Sequence, residues 1–164
     1  MDNLDVFKSR KSIRKFKDKE ISGSDIEKII KAASLAPTAR NVQPWEFVVV
    51  KDRNRLIELA AIVSPNGAFI KGAGACIGVF CRNTKYYLED GCAATTQALL
   101  CAGQLNLGSC WVAGDKKDYC EKVKQLFGVP EDFKLISLIA LGFPDESPNP
   151  TKRDVSEMIH KERF

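Results

Sequence analysis

The sequence predicts one domain of mixed helices and strands built around a helix that is apolar on every side. Three observations carry this reading. A chain of 164 residues is near the commonest domain size and can bury a substantial core. Segments of helical and strand periodicity follow one another with no Pro/Gly/Ser-rich linker and no repeat between them. Residues 90–107 carry Cys92, Ala93, Ala94, Ala98, Leu99, Leu100, Cys101, Ala102 and Leu105 around the whole circumference of a helix.

The elements follow in order. "SGSDIEKIIKAASLAP" offers Ser24 as an N-cap with Glu27 three residues on, then apolar residues at Ile26, Ile29, Ile30 and Ala33, and Pro37 stops the helix. The β-branched run "PWEFVVVKD" is a strand ending near Lys51, and residues 54–61 are helical. "AGACIGVFC" is a buried strand whose glycines allow close approach. After the 90–107 helix come the strand "SCWVA", a helix over residues 117–127 and the strand "LISLIALG".

The 90–107 helix must be buried all round, and a chain this short has few other helices to surround it. A central core helix within one chain is one solution; packing against a two-fold mate is the other, and a homodimer is the working expectation.

Apolar residues make up 45% and charged residues 28%, the composition of an ordinary soluble globular protein. Six cysteines at 76, 81, 92, 101, 110 and 120 show no metal or redox spacing and fall in apolar runs, as buried free thiols of a reducing cytosol do. The first residues, "MDNLDVFKSR", lack the apolar stretch of a signal peptide. Residues 91–114 are uncharged, yet Thr95, Thr96, Gln97, Gln104, Asn106 and Ser109 make them too polar for a lipid-facing span. A cytoplasmic protein with no membrane contact is expected.

The net charge of +4 is slight, but residues 8–19 concentrate it: Lys8, Arg10, Lys11, Arg14, Lys15, Lys17 and Lys19 stand against Asp18 alone. Such a cluster can be a solvated face, a nucleic-acid contact or a clamp for a small anionic cofactor. Nucleic acid would call for interleaved aromatics and a broader charged face, and only Phe7 and Phe16 flank the cluster. The loop "APTARNVQPWEF" adds Thr38, Asn41 and Gln43 between Pro37 and Pro44, either a self-satisfied turn or a set of hydrogen-bonding groups for a ligand. No arrangement for nucleophilic catalysis and no metal-ligand set can be read. Trp111 has apolar neighbours and reads as a core tryptophan, and His160, near the C-terminus, is given no role.

"SRKSIRKF", "APTARNVQPWEF", the helix running into "LNLGSCWVAG", and "LISLIALGFPDESPNPTKRD" occur in an order and spacing that resemble the nitroreductase family of FMN enzymes, over nearly the whole chain. The resemblance implies an α+β fold, a mainly antiparallel central sheet flanked by helices, and a homodimer with a helical interface holding two FMN molecules. It implies that Arg10, Lys11 and Ser12 contact the phosphate, ribityl chain or pyrimidine edge, with Arg14 near the flavin. By the same resemblance, Pro37, Thr38, Ala39, Asn41 and Gln43 reach FMN from the other subunit, and Val112, Ala113 and Gly114 pass by the isoalloxazine ring. Lys152 and Arg153 match a late basic element that closes on the phosphate.

Four departures from the family pattern are present. Lys11 stands where arginine or histidine is common, only Asn66 and Lys71 are candidates for the flavin contact ahead of the second strand, and the long insertion that roofs larger members' pockets is missing; the fourth is "TKR" at 151–153, offset from the more usual spacing of two basic residues.

The implied chemistry is consistent with these residues. A phosphate calls for convergent cations, and arginine's fork binds its oxygens in pairs. A cation beside the ring stabilises the reduced flavin. The expected function is hydride transfer from NADH or NADPH, with reduction of a small-molecule electron acceptor, nitroaromatic, quinone or similar, by a ping-pong mechanism in an open, weakly selective pocket. The alternative is a flavin-binding storage or sensor module without turnover.

Overall fold

The computed structural model describes residues 4–164. Its strands β1 (Trp45–Val50), β2 (Ala75–Arg82), β3 (Gly108–Ala113) and β4 (Phe133–Gly142) form one sheet in the order β1-β2-β4-β3, with every neighbouring pair antiparallel. β2 and β4 lie in the middle and are buried on both faces, which is why their sequences run as near-continuous apolar stretches rather than alternating.

The helices are α1 (Asp5–Ser9), α2 (Gly23–Ser34), α3 (Arg53–Ile62), α4 (Tyr87–Gln104) and α5 (Cys120–Phe127). On one face of the sheet Ile26, Ile29 and Ala33 of α2, with Ala94, Ala98 and Ala102 of α4, pack on Ile77, Val79, Ile139 and Leu141. On the other, Leu56 and Leu59 of α3 and Val123 of α5 pack on Cys76, Phe80, Val112, Leu138 and Ala140. The expected antiparallel sheet with helices on both sides is therefore present. Helix α1, unforeseen, precedes the basic segment, and α2 starts earlier than expected. Its N-cap is Ser22, whose hydroxyl accepts from the Asp25 N–H at 3.1 Å, while Ser24 sits inside the helix.

One irregularity sets how α4 lies. The β2–β4 register pairs Val79 with Ser137 but Phe80 with Leu135, leaving Ile136 as the extra residue of a bulge. Ile136 and Ser137 consequently both meet α4. The Ser137 hydroxyl is 2.8 Å from that of Thr95, which itself donates to the Gly91 carbonyl at 2.7 Å. At Gly91 a Cβ would come within 2.5 Å of Ile136 Cγ1, so the glycine permits the helix to lie this close to the strand.

Within one chain α4 is covered on most of its circumference but not all. Ala94, Thr95, Ala98, Leu99 and Ala102 are buried, whereas Thr96 and Gln104 are exposed and Cys92, Ala93, Gln97 and Leu100 only half-buried. Among the described residues no helix is long and apolar enough to cross a membrane. All six cysteines are free; Cys76, Cys81 and Cys110 are buried, and burial pushes the Cys76 and Cys81 thiols up to about 12.

The N-terminal segment is tied to the open edge of β3. Ser12 bridges Ser109 in parallel, the Ile13 N–H donates to the Ser109 carbonyl at 2.9 Å, and Phe16 pairs with Pro144. The sheet edge thereby fixes the basic cluster in place.

Candidate functional site

Chain leaving α1 passes the last turn of α4, where Gln104 Nε2 donates to the Ser9 hydroxyl at 3.1 Å. It then runs extended through Arg10 to the β3 edge. Arg10, Lys11, Ser12 and Arg14 line an open cleft of about 1120 Å³, closed on its far side by Pro148, Pro150 and Lys152 from the C-terminal segment. Arg10 and Ser12 also line an adjoining recess floored by Thr96 and Leu99 of α4 and by Ser109 and Trp111 of β3. The site thus has a cationic mouth leading to a mixed, partly aromatic floor.

Two further contacts hold Arg14. Its guanidinium lies 5.8 Å from the ring centroid of Phe69, in the 3-10 turn Ala68–Gly72. Its backbone N–H donates to Glu146 Oε1 at 2.5 Å, and the Lys15 N–H reaches the same oxygen at 3.1 Å. The Arg14 N–H, with that of Lys15 and the nearby cations, holds the Glu146 carboxyl below its ordinary range. Asn66 is exposed in the loop ahead of the Phe69 turn, and the Lys71 carbonyl accepts from Arg53 Nη1 at 2.7 Å.

Of the late basic pair, Lys152 lines the cleft. Arg153 is turned toward Glu157, with Nε 3.4 Å from Oε2 and Nη2 donating to the carbonyl at 3.1 Å.

At the end of β3 the strand's period of two separates neighbours. Val112 faces the α3/α5 core and Trp111 the opposite side, half-buried beside the cleft. The Ala113 carbonyl accepts from the Tyr119 hydroxyl. The Gly114 N–H donates to the Ile136 carbonyl at 3.1 Å. Segment 112–114 is therefore engaged with its own chain, and the β3 side chains that reach the recess are Ser109 and Trp111. Sequence reasoning left both out; the signal that could have found them is parity, since a core-facing Val112 puts residues 109 and 111 on the other face.

The second predicted group, Pro37 to Gln43, lies elsewhere. It forms a tight loop containing the turn Ala39–Asn41, in which Arg40, Asn41 and Gln43 adopt φ of 55°, 56° and 50°. Left-handed backbone at residues other than glycine costs of order 1–3 kcal/mol each and persists only where the surroundings enforce it. The turn's own bonds, from the Asn41 N–H to the Thr38 carbonyl and from the Val42 N–H to the Ala39 carbonyl at 3.1 Å each, are joined by Asp90 in the first turn of α4, which accepts from the Thr38 hydroxyl and the Ala39 N–H.

Helix α4 consequently separates the two groups. Its first turn holds the Thr38 loop and its last turn holds Ser9 beside Arg10, about 20 Å apart at 1.5 Å per residue. The Arg10 segment and the Asn41 loop are thus anchored at opposite ends of α4. Among the described residues no group of three or more His, Cys, Asp or Glu side chains could hold a metal ion.

Comparison with known proteins agrees with this architecture. A family model described as the nitroreductase family matches residues 7–72. A protein of Archaeoglobus fulgidus provisionally named NADH dehydrogenase/NAD(P)H nitroreductase is 35% identical, over 98% of this chain and 98% of its own length. The crystal structure of a similarly named protein from Bacteroides thetaiotaomicron superimposes with a TM-score of 0.93 at 30% identity, covering 98% of this chain and 97% of that one. The structure of an FMN-dependent nitroreductase from Clostridium difficile does so with a TM-score of 0.91 at 30% identity, covering 97% and 98%. With relatives of this identity matching from end to end and folding alike, the chain belongs to the nitroreductase family.

Proposed function

We propose that the protein is an FMN-dependent oxidoreductase that takes hydride from NADH or NADPH and reduces a small organic acceptor, a nitroaromatic, a quinone or a similar compound. The observation that carries this reading is the convergence of Arg10, Lys11, Ser12, Arg14 and Lys152 on one cleft that opens onto Leu99 and Trp111. That donor set fits FMN: cations and a hydroxyl for an anionic tail, and a recess of apolar and aromatic side chains for a flat ring. When bound, FMN supplies the hydride-accepting and electron-donating chemistry that the side chains lack.

The chain's own residues bind and tune. Arg10 and Lys11, joined by Lys152, neutralise the phosphate, and Ser12 offers a hydroxyl to the tail. Arg14, steadied by Glu146 and Phe69, is the cation available to favour the more negative, reduced cofactor. Arg153 joins the phosphate contacts only on leaving Glu157. The cleft is open, so donor and acceptor can use it in turn, which gives ping-pong kinetics.

The site is completed in a homodimer. The uncovered stripe of α4, through Ala93, Thr96, Gln97 and Leu100, is the surface for a two-fold mate. An antiparallel pairing of α4 with its copy lays the Thr38 loop of one chain beside the Arg10 cleft of the other, closing a gap of about 20 Å that one chain cannot close. Pro37, Thr38, Ala39, Asn41 and Gln43 then serve the partner's cofactor, while Val112, Ala113 and Gly114 continue the strand that carries Ser109 and Trp111 into their own chain's recess.

The test is direct. The purified protein, incubated with FMN and desalted, should be yellow, release flavin on denaturation and oxidise NADH or NADPH with a quinone or nitroaromatic acceptor. A colourless protein refutes the reading; a yellow one without turnover would instead be a flavin store or sensor.

A further inference from the structure

Asp90 is only 5% exposed, lies in the first turn of α4, and uses both carboxylate oxygens. Oδ1 accepts from the Ala39 N–H at 3.0 Å and Oδ2 from the Thr38 hydroxyl at 2.8 Å. The Thr38 oxygen in turn accepts from the Gln43 N–H at 3.1 Å. A one-way chain of hydrogen bonds therefore runs from Gln43 through Thr38 to Asp90. Its direction is fixed, because a backbone N–H only donates and an ionised carboxylate only accepts.

The relay closes the loop at both ends of its left-handed stretch. Arg40, Asn41 and Gln43 are all exposed, so packing does little to hold their backbone; the turn is closed by its own bonds from the Asn41 and Val42 N–H groups to the Thr38 and Ala39 carbonyls, and the bonds to Ala39 and Gln43 tie it to α4. Gln43 also acts on Asn41: its Nε2 donates to Asn41 Oδ1 at 3.1 Å. With its oxygen so engaged, the exposed Asn41 side chain has its amide NH2 as the group with which to meet a ligand, and that group can only donate.

We infer that Asp90 is a positioning residue for the cofactor site: through Thr38 it locks the 38–43 loop so that Asn41 presents a donor to an acceptor atom of the ligand held in the partner subunit's basic cleft. The inference rests on the two-fold site proposed above. Asp90 acts at a distance from that ligand and needs no contact with it.

The test compares Asp90→Asn, Thr38→Val and Thr38→Ser with the wild-type dimer. An amide at position 90 can accept from only one of the two donors. Valine keeps threonine's shape but breaks the relay, and serine keeps the hydroxyl. Asp90→Asn and Thr38→Val should each raise the FMN dissociation constant about tenfold, as expected for losing hydrogen bonds to a charged group. Both should change the absorption spectrum of bound flavin, and Thr38→Ser should retain wild-type affinity and spectrum. If Asp90→Asn does not fold, Thr38→Val against Thr38→Ser decides alone, because the Thr38 hydroxyl gives its proton to Asp90 and accepts from the Gln43 N–H, so that what Thr38 offers a ligand directly is backbone, which both variants keep. Folded variants that lose only melting temperature, with affinity and spectrum unchanged, would overturn the positioning role while leaving the cofactor reading intact. A wild-type protein that binds no FMN would overturn both, and is seen before any variant is compared.

Discussion

Gly114 stands against the backbone of Leu135 so closely that a Cβ would come within 2.6 Å of the Leu135 carbonyl oxygen and 2.7 Å of the Ile136 carbonyl oxygen. Those atoms belong to β4, a central strand paired on both sides, and cannot rotate away as a side chain could. The glycine thus has a reason within its own chain besides any approach of a flat ring. Gly114→Ala should destabilise the fold by about 1–3 kcal/mol through overpacking. The urea midpoint measured without flavin reads this, and an unchanged midpoint would show that the strand end yields.

Arg10 lines both the cleft and its recess, whereas Lys15, Lys17 and Lys19 are exposed outside them. Arg10→Ala should weaken FMN binding by a factor of tens, the loss expected of a charge-assisted hydrogen bond worth about 1.5–3 kcal/mol. Lys17→Ala, outside the cleft, should change it little. Equal effects of the two would reduce the cleft to a diffuse basic surface.

The two-fold site predicts complementation between chains. Arg10→Glu repels phosphate and Asn41→Asp replaces an amide donor with a negative charge, so each homodimer should be inactive. In a heterodimer of the two, one site inherits both lesions and the other neither. About one active site per dimer should therefore return, by the symmetry of an isologous interface. Differently tagged chains, co-expressed and purified as the mixed dimer, provide the measurement; a mixed dimer as inactive as its parents excludes the shared geometry.

Glu146 gives the basic segment a dependence on acid. Its carboxyl is held below the ordinary glutamate value of 4.5, first by the Arg14 N–H. A group whose folded value is depressed contributes stability that is fully present above the unfolded value and is lost as pH falls through the folded one. The anchoring of Arg14 should therefore be complete at neutral pH and fail only below about pH 4.5. Glu146→Gln should flatten the acid limb of the stability curve below the ordinary glutamate value of 4.5. An acid limb identical to wild type would show that the contact contributes nothing.

What the sequence determined by itself is local. Helix α2 follows from its apolar spacing and a serine cap, β2 and β4 from uninterrupted apolar runs, and the basic motif of residues 9–16 from its charge. Each is a property of residues a few positions apart, where periodicity and backbone chemistry act directly. Even here the cap is Ser22, where the sequence reading expected Ser24. The motifs and their order also disclosed the family.

Tertiary structure decided which of these residues meet. Trp111 rather than Val112 faces the recess because pairing with β4 fixes the parity of β3. Asp90 and Thr38 are 52 positions apart, and Arg14 and Glu146 are 132 apart, separations across which no periodic signal survives. Nor could spacing reveal that α4 holds the Arg10 segment at one end and the Thr38 loop at the other. The bulge at Ile136 and the Thr95–Ser137 contact seat the helix on the sheet, and its two ends hold those two segments apart.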